Sequence, residues 1–133
     1  MTAGTRATLK VRISQADAHY GGGLVAGAKV LELFGDVATE LCIRTDGDEG
    51  LFAGYSSVEF LAPVSAGDFL EVTGEVTRMG ETSREISFTA LRYAKSSPEV
   101  SDSAAEIVAD PETVARATGT CVVRKAKQRG STG

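Results

Sequence analysis

The chain has 133 residues, with 14 Lys and Arg against 18 Asp and Glu, a formal net charge of −4, 42% hydrophobic and 24% charged residues. That length and balance predict one domain over residues 1–133 with a core of its own, and they exclude wholesale disorder. The negative charge excludes a general nucleic-acid binder, which needs a basic face, but leaves room for a local basic site for a phosphorylated ligand.

Residues Thr8 to Ser14 alternate, with Leu9, Val11 and Ile13 opposite Lys10 and Arg12, which predicts a half-buried strand. The next stretch, from Gln15 through His19 and Tyr20 to Gly21-Gly22-Gly23, is a loop whose three glycines permit unusual backbone angles and close approach by another molecule. From Leu24 the apolar period changes to 3, 4 and 7 through Gly27, Ala28, Leu31, Phe34, Gly35, Ala38, Leu41 and Cys42. That predicts a helix to about Ile43, lying close on its partner through small residues. Thr45 to Gly50 is a polar, glycine-punctuated stop.

Residues Phe52 to Ala62, Asp68 to Arg78, Thr82 to Tyr93 and Val114 to Arg124 are strand-like, and Met79-Gly80-Glu81 is short enough for a hairpin. Lys95 to Pro111 reads as a polar surface excursion with a helical turn near Ser103 to Val108, and the basic tail from about Lys125 to Gly133 as disordered. Strand, long helix and four strands make an α+β arrangement: one central helix against a five-stranded, mostly antiparallel sheet. The open edge of such a sheet is normally covered, so a homodimer or higher homo-oligomer is expected.

Met1 to Thr8 has no signal-peptide core, and the longest apolar-rich run, Leu24 to Ile43, is interrupted by Lys29, Glu32, Asp36 and Glu40. No membrane association and a cytoplasmic location are the expectation. Cys42 and Cys121 have no metal-like spacing and read as buried free thiols, and no nucleotide fingerprint or metal cluster is present in the sequence.

Gly22-Gly23 opening the helix, Asp36 within it, the run Val58 to Val64 with Gly67-Asp68, and Gly80 to Ser83 resemble the hotdog-fold acyl-CoA thioesterases. Asp17 to Gly22, Leu33 to Glu40, and Gly47 to Phe52 are similar to the 3-aminobutyryl-CoA ammonia-lyases of lysine fermentation and to the β-alanyl-CoA ammonia-lyases. The resemblance runs from about residue 8 to 129 and includes Gly119 to Val123. It implies a hotdog fold and reversible elimination of ammonia from a β-aminoacyl-CoA thioester, 3-aminobutyryl-CoA giving crotonyl-CoA. It implies no cofactor or metal beyond the coenzyme A of the substrate.

Such chemistry needs a polarised thioester carbonyl, a base for the α-proton, and a place for the amino group. Backbone N–H groups of Gly21, Gly22 and Gly23 suit the first need, although glycine loops also precede helices as plain connectors. Asp36 and Glu40 share a helix face and suit the other two, although Glu32, Asp36 and Glu40 equally read as a solvated stripe. The resemblance favours Asp36, at the thioesterase catalytic position, ahead of Glu40. His19, the only histidine, and Tyr20 are candidates for acid–base work and hydrogen bonding, with Asp17 placed to orient His19. For coenzyme A the resemblance points to Pro63 and to Gly80, Thr82 and Ser83. Arg84 is a candidate phosphate contact, as are Arg78, Lys125, Lys127 and Arg129. Two other readings stay open: a hotdog acyl-CoA thioesterase, and a non-catalytic acyl-CoA-binding subunit.

Overall fold

The structure, a computed structural model, describes residues 3–131. Strand β1 (Arg6–Arg12) leads through the glycine loop into a two-residue strand, β2 (Leu24–Val25), and then the helix α1 (Gly27–Asp46). Strands β3 (Leu51–Phe60), β4 (Val64–Ser65), β5 (Phe69–Met79), β6 (Ser83–Ser96) and β7 (Ala105–Val122) follow. The main sheet has the order β1-β5-β6-β7-β3, antiparallel throughout, and β2 pairs with β4 in a separate small ladder. This is the expected α+β architecture, one long helix on a five-stranded antiparallel sheet.

The helix begins three residues later than the periodicity predicts. Leu24 and Val25 are extended because they pair with Ser65 and Val64, so tertiary pairing overrides an apolar pattern that fits a helix. It ends at Gly47, which adopts φ 66° and donates its N–H to the Ile43 carbonyl at 2.8 Å, a left-handed C-terminal cap. The buried stripe is Val30, Leu33, Phe34, Val37, Ala38, Leu41, Cys42 and Thr45. Ala28 is exposed and a Cβ at Gly35 would meet no other element within 4 Å among the described residues, so neither sits on the packing face that the small-residue pattern assigns them to. Close approach is made from the sheet side: a Cβ at Gly74 of β5 would stand 2.8 Å from Val37.

Phe34 stacks on Phe88 of β6 with ring centroids 5.0 Å apart, and both are buried. Each such side chain contributes about 1.5–3 kcal/mol through removal from water. Two bulges in β3, at Phe52/Gly54 and Tyr55/Ser57, interrupt its pairing with β7. They bring Phe52 and Tyr55, three residues apart, to the same aromatic cluster against Phe88.

Two other expectations are corrected. The excursion predicted over Lys95 to Pro111 shrinks to residues 97–104, and the helical turn near Ser103 to Val108 is absent. Residues Ala105 to Ile107 instead pair with Ala94 to Ser96 and extend the β6–β7 hairpin. The tail expected to be disordered is fastened as far as it is described. A single helical turn at Lys125–Lys127 is followed by Gln128, whose Nε2 donates to the Glu81 and Val123 carbonyls, and by Arg129, whose N–H donates to the Asp46 carbonyl. Residues 132 and 133 of that predicted tail lie outside the described residues.

Candidate active site

Three acids lie on the outward stripe of α1, and the structure distinguishes them. Glu32 meets Lys29 at 3.2 Å, and Glu40 accepts a 2.8 Å hydrogen bond from Arg44 Nε. Asp36 is exposed on the protomer and makes no ion pair or hydrogen bond among the described residues. Its carboxylate is therefore the one on this stripe free to take a proton or a cation.

The turn that carries it is held in place. Tyr55 of β3 donates its hydroxyl to the Leu31 carbonyl at 2.8 Å, and Thr39 Oγ1 donates to the Gly35 carbonyl at 3.0 Å. Burial pushes the Tyr55 phenol up to about 12, so it remains a donor through neutral pH. Gly35 sits inside that turn although glycine in a helix interior costs about 0.5–1 kcal/mol relative to alanine. Sequence reasoning missed Tyr55, because the bulges that aim it at the helix leave no mark on the residue pattern.

Gly21 to Gly23 form a short 3₁₀ turn, with Gly22 at φ 74°. The turn leaves the N–H groups of Gly21 and Gly22 without an intrahelical acceptor. It does not open the long helix, as expected from sequence, because β2 intervenes; α1 starts after Ala26, with no side-chain cap. The glycine turn is tied instead to the β4 region, where Gly23 accepts from Ala66 N–H at 2.9 Å. His19 and Tyr20 are exposed and lie edge to face, 4.7 Å between ring centroids, with both backbone N–H groups donated to the Leu24 carbonyl.

Asp17 does not orient His19. Its carboxylate accepts from the Ser14 N–H and hydroxyl, both at 3.1 Å, and pairs with Lys29 at 3.5 Å. Those contacts, the Ser14 backbone bond foremost, hold it below the usual carboxylate range. It braces the loop onto the first turn of α1.

The remaining predicted residues divide between the two ends of the helix. Pro63 lies near the helix start, where a cleft of about 340 Å³ is lined by Val25, Gly27, Phe60, Ala62 and Val114 as well. Its carbonyl accepts from Arg92 Nη1 at 2.7 Å, and the same nitrogen bonds the buried Asp68 at 3.0 Å. Asp68 in turn accepts from the Ser65 N–H, so an Arg92–Asp68 clamp, invisible in the sequence, shapes the β4 turn. Gly80, Thr82 and Ser83 lie at the far end, in the β5–β6 turn. There Gly80 donates to the Ser83 carbonyl and Thr82 accepts from Val123 N–H, both at 2.8 Å.

Arg84 is overturned as a phosphate contact. It is only 3% exposed and its guanidinium is spent on Asp46, with Nε and Nη2 each 2.8 Å from a carboxylate oxygen. Its Nη1 donates to the Gly80 and Ser83 carbonyls. Arg84 thus locks the β5–β6 turn to the C-terminal end of α1, and no donor faces solvent for a ligand. Arg78 and the tail cations Lys125, Lys127 and Arg129 are exposed or partly committed, Lys125 to Glu81 at 3.7 Å and Arg129 Nε to the Gly47 carbonyl.

Cys42 and Cys121 are buried, free and adjacent, and the bond to Cys42 together with burial pushes the Cys121 thiol up, which makes it inert at neutral pH. Among the described residues no group of three or more His, Cys, Asp or Glu is arranged to hold a metal ion, and no helix is long and apolar enough to cross a membrane.

Within this geometry the comparisons with known proteins fall into place. Residues 22–92 match the family model of the thioesterase superfamily. The chain is 56% identical over 124 residues to a 3-aminobutyryl-CoA ammonia lyase of Acetoanaerobium sticklandii, covering 93% of this chain and 98% of that protein. The β-alanyl-CoA:ammonia lyase of Clostridium propionicum superposes with a TM-score of 0.94 at 38% identity, over 98% of this chain and 93% of the other. A hexameric hotdog-fold thioesterase of Campylobacter jejuni superposes with a TM-score of 0.72 at 17% identity, over 93% and 88% of the chains, and shows the fold alone. The chain belongs to the thioesterase superfamily of hotdog proteins, within its family of CoA-thioester ammonia lyases.

Proposed function

We infer that this protein catalyses the reversible elimination of ammonia from 3-aminobutyryl-CoA to give crotonyl-CoA. The observation that carries the reaction is the 56% identity, along almost the whole chain, to a lyase of that name, against 38% to the β-alanyl-CoA enzyme. What supports Asp36 as the base is its carboxylate, unpaired among the described residues on an otherwise ion-paired stripe.

Asp36 takes the α-proton of the thioester. The C–H electron pair moves toward the carbonyl, where backbone N–H groups of the glycine turn, at Gly21 and Gly22, stabilise the enolate oxygen. The pair then returns to form the Cα–Cβ double bond, and the Cβ–N bond breaks with its electrons leaving on nitrogen. Ammonia departs and takes up the proton from Asp36, which restores the carboxylate. Glu40, held by Arg44, adds negative potential beside the departing ammonium without acting as base. His19 and Tyr20 border the glycine turn, and Tyr20 supplies a hydrogen bond toward the bound thioester.

The site is completed by a second copy of the chain. Asp36 lies nine residues past Gly27, about 14 Å along the helix axis, and the glycine turn lies before Gly27. The turn and Asp36 thus sit at different levels of one protomer's helix, and in this reading the carbonyl polariser and the base come from different protomers. Strand β3 offers the joint: among the described residues it pairs only with β7, and it exposes Leu51, Val58 and Phe60. The hexameric state of the thioesterase neighbour fits a homo-oligomer of this kind. The pantetheine arm runs past Pro63 or along Gly80 to Ser83, with its phosphates met by exposed cations. A cytoplasmic location suits two free thiols and a CoA thioester substrate.

The test mixes the protein with crotonyl-CoA and ammonium at mildly alkaline pH and follows enoyl-thioester absorbance alongside free thiol. Loss of absorbance without thiol release, approached also from 3-aminobutyryl-CoA, is the expected result. Thiol release would identify a thioesterase, and binding with neither signal an acyl-CoA-binding subunit.

A further inference from the structure

Five glycines lie inside the helix or the long strands, and they are of two kinds. At Gly27, Gly74 and Gly119 an added Cβ would stand 2.6, 2.8 and 2.6 Å from Phe60, Val37 and Phe52, so a side chain there would displace a packed neighbour within the protomer. At Gly35 and Gly54 a Cβ meets no atom within 4 Å, and neither has a positive φ. Gly54 lies on the sheet edge proposed to meet a second copy. Gly35 lies on the open face of α1, immediately before Asp36.

A glycine in mid-helix often marks a hinge, but here the turn is fastened on both sides of it. The Leu31 carbonyl, the regular helical acceptor of the Gly35 N–H, also receives the Tyr55 hydroxyl, and the Gly35 carbonyl receives Thr39 Oγ1. Flexibility is not what glycine gives this turn. What glycine supplies is bare backbone beside a free carboxylate.

We propose that Gly35 is a substrate contact that sets the size of acyl group the site accepts. The acyl chain lies against the helix backbone where a Cβ would stand, with the methyl on its β-carbon directed at Gly35 and its amino group at Asp36. This rests on the ammonia-lyase reading above and goes beyond it, because it assigns acceptance of the four-carbon substrate to one backbone position.

The experiment compares the wild-type chain with Gly35→Ala on 3-aminobutyryl-CoA and on β-alanyl-CoA, which lacks the methyl. Alanine is the better helix former, so the variant should melt no lower than wild type and sediment as the same oligomer. Its kcat/KM for 3-aminobutyryl-CoA should fall at least about thirty-fold and the ratio of the two substrates should shift toward β-alanyl-CoA by about ten-fold or more, the range one methyl group commands in a fitted pocket. An unchanged ratio overturns the proposal. So does a lower melting temperature or a dissociated oligomer, because the glycine would then serve packing or contact between copies. Wild-type protein inactive on both substrates refutes the lyase reading itself, and the inference with it.

Discussion

Asp36 and Asp46 stand on the same helix, ten residues apart, and show how environment divides one residue type between two uses. Asp46 is 4% exposed and fully answered, by two guanidinium nitrogens of Arg84 and by the Thr45 hydroxyl at 2.7 Å. Those contacts, the Arg84 bond foremost, hold its carboxyl below the usual range, and its burial against them closes it to a ligand. Asp36 faces outward with no partner among the described residues. The Asp46 carboxylate holds the C-terminal end of α1 to the β5–β6 turn; that of Asp36 is available for chemistry. Acid count and spacing alone do not separate them, and contacts do.

The sharpest way to break the contrast is Asp36→Asn. The amide keeps the shape and leaves no buried group unpaired, so melting should be unchanged. Turnover of crotonyl-CoA with ammonium should fall by about 10²–10⁴, the range a general base commands. A variant within a few-fold of wild type would remove Asp36 from the mechanism.

Arg84→Met reverses the pattern. It strands the Asp46 carboxylate in the interior, which costs about 3–5 kcal/mol of stability. Urea unfolding should read that loss, and a change below about 1 kcal/mol would mean that Asp46 finds water or another donor. The pair also predicts a pH dependence. The Asp46 carboxyl is lowered in the folded state, so below the ordinary aspartate value of 3.8 the unfolded chain binds its proton first. Stability is therefore complete above that pH and falls as pH drops through the folded value. In Arg84→Met that contribution to acid sensitivity should be gone.

Much of the fold is legible in the sequence because periodicity survives where one face is buried. The alternation of Leu9, Val11 and Ile13, and the spacing of Phe34, Ala38, Leu41 and Cys42, each describe an element that the structure contains. Legibility fails where pairing is non-local. Leu24 and Val25 are apolar and adjacent to a helix, and only Val64 and Ser65, some forty residues away, make them a strand. Ala105 to Ile107 look like surface because two of their side chains are polar or small, yet the backbone completes a hairpin. Among site residues, the acidic stripe is visible by its spacing of four. Arg84 misleads because a charge in a strand looks solvated until its partner across 38 residues of chain is known.

Tyr55→Phe probes the fastening of the turn that carries Asp36 and should act more gently. The Leu31 carbonyl keeps its helical N–H, so no buried acceptor is stranded, and the loss should be about 0.5–1.5 kcal/mol in chemical unfolding. Its phenol is raised to about 12 from an ordinary 10.0, so the folded state keeps that proton longer than the unfolded chain does. Stability from this group is whole below pH 10 and lost as pH climbs toward 12; phenylalanine should flatten that alkaline slope. A larger fall in kcat than in stability, with KM unchanged, would show that the turn's position matters to Asp36.

Glu40→Gln gives the smallest effect and the finest distinction. Glu40 and Asp36 share the helix face and differ in that Arg44 already pairs with Glu40, both members being about half exposed. An exposed ion pair of this kind is worth about 0.2–1 kcal/mol. Removing the charge should therefore leave stability nearly unchanged and lower turnover by no more than about five-fold, through the weaker potential beside ammonium. If Glu40→Gln instead matches Asp36→Asn, Arg44 must release the carboxylate when substrate binds, and the base would be the member of the stripe that looks occupied in the free protomer. Measuring both variants on one substrate, with ammonium varied, decides between them: a loss that high ammonium restores belongs to the group that binds the amine, and a loss it does not restore belongs to the base.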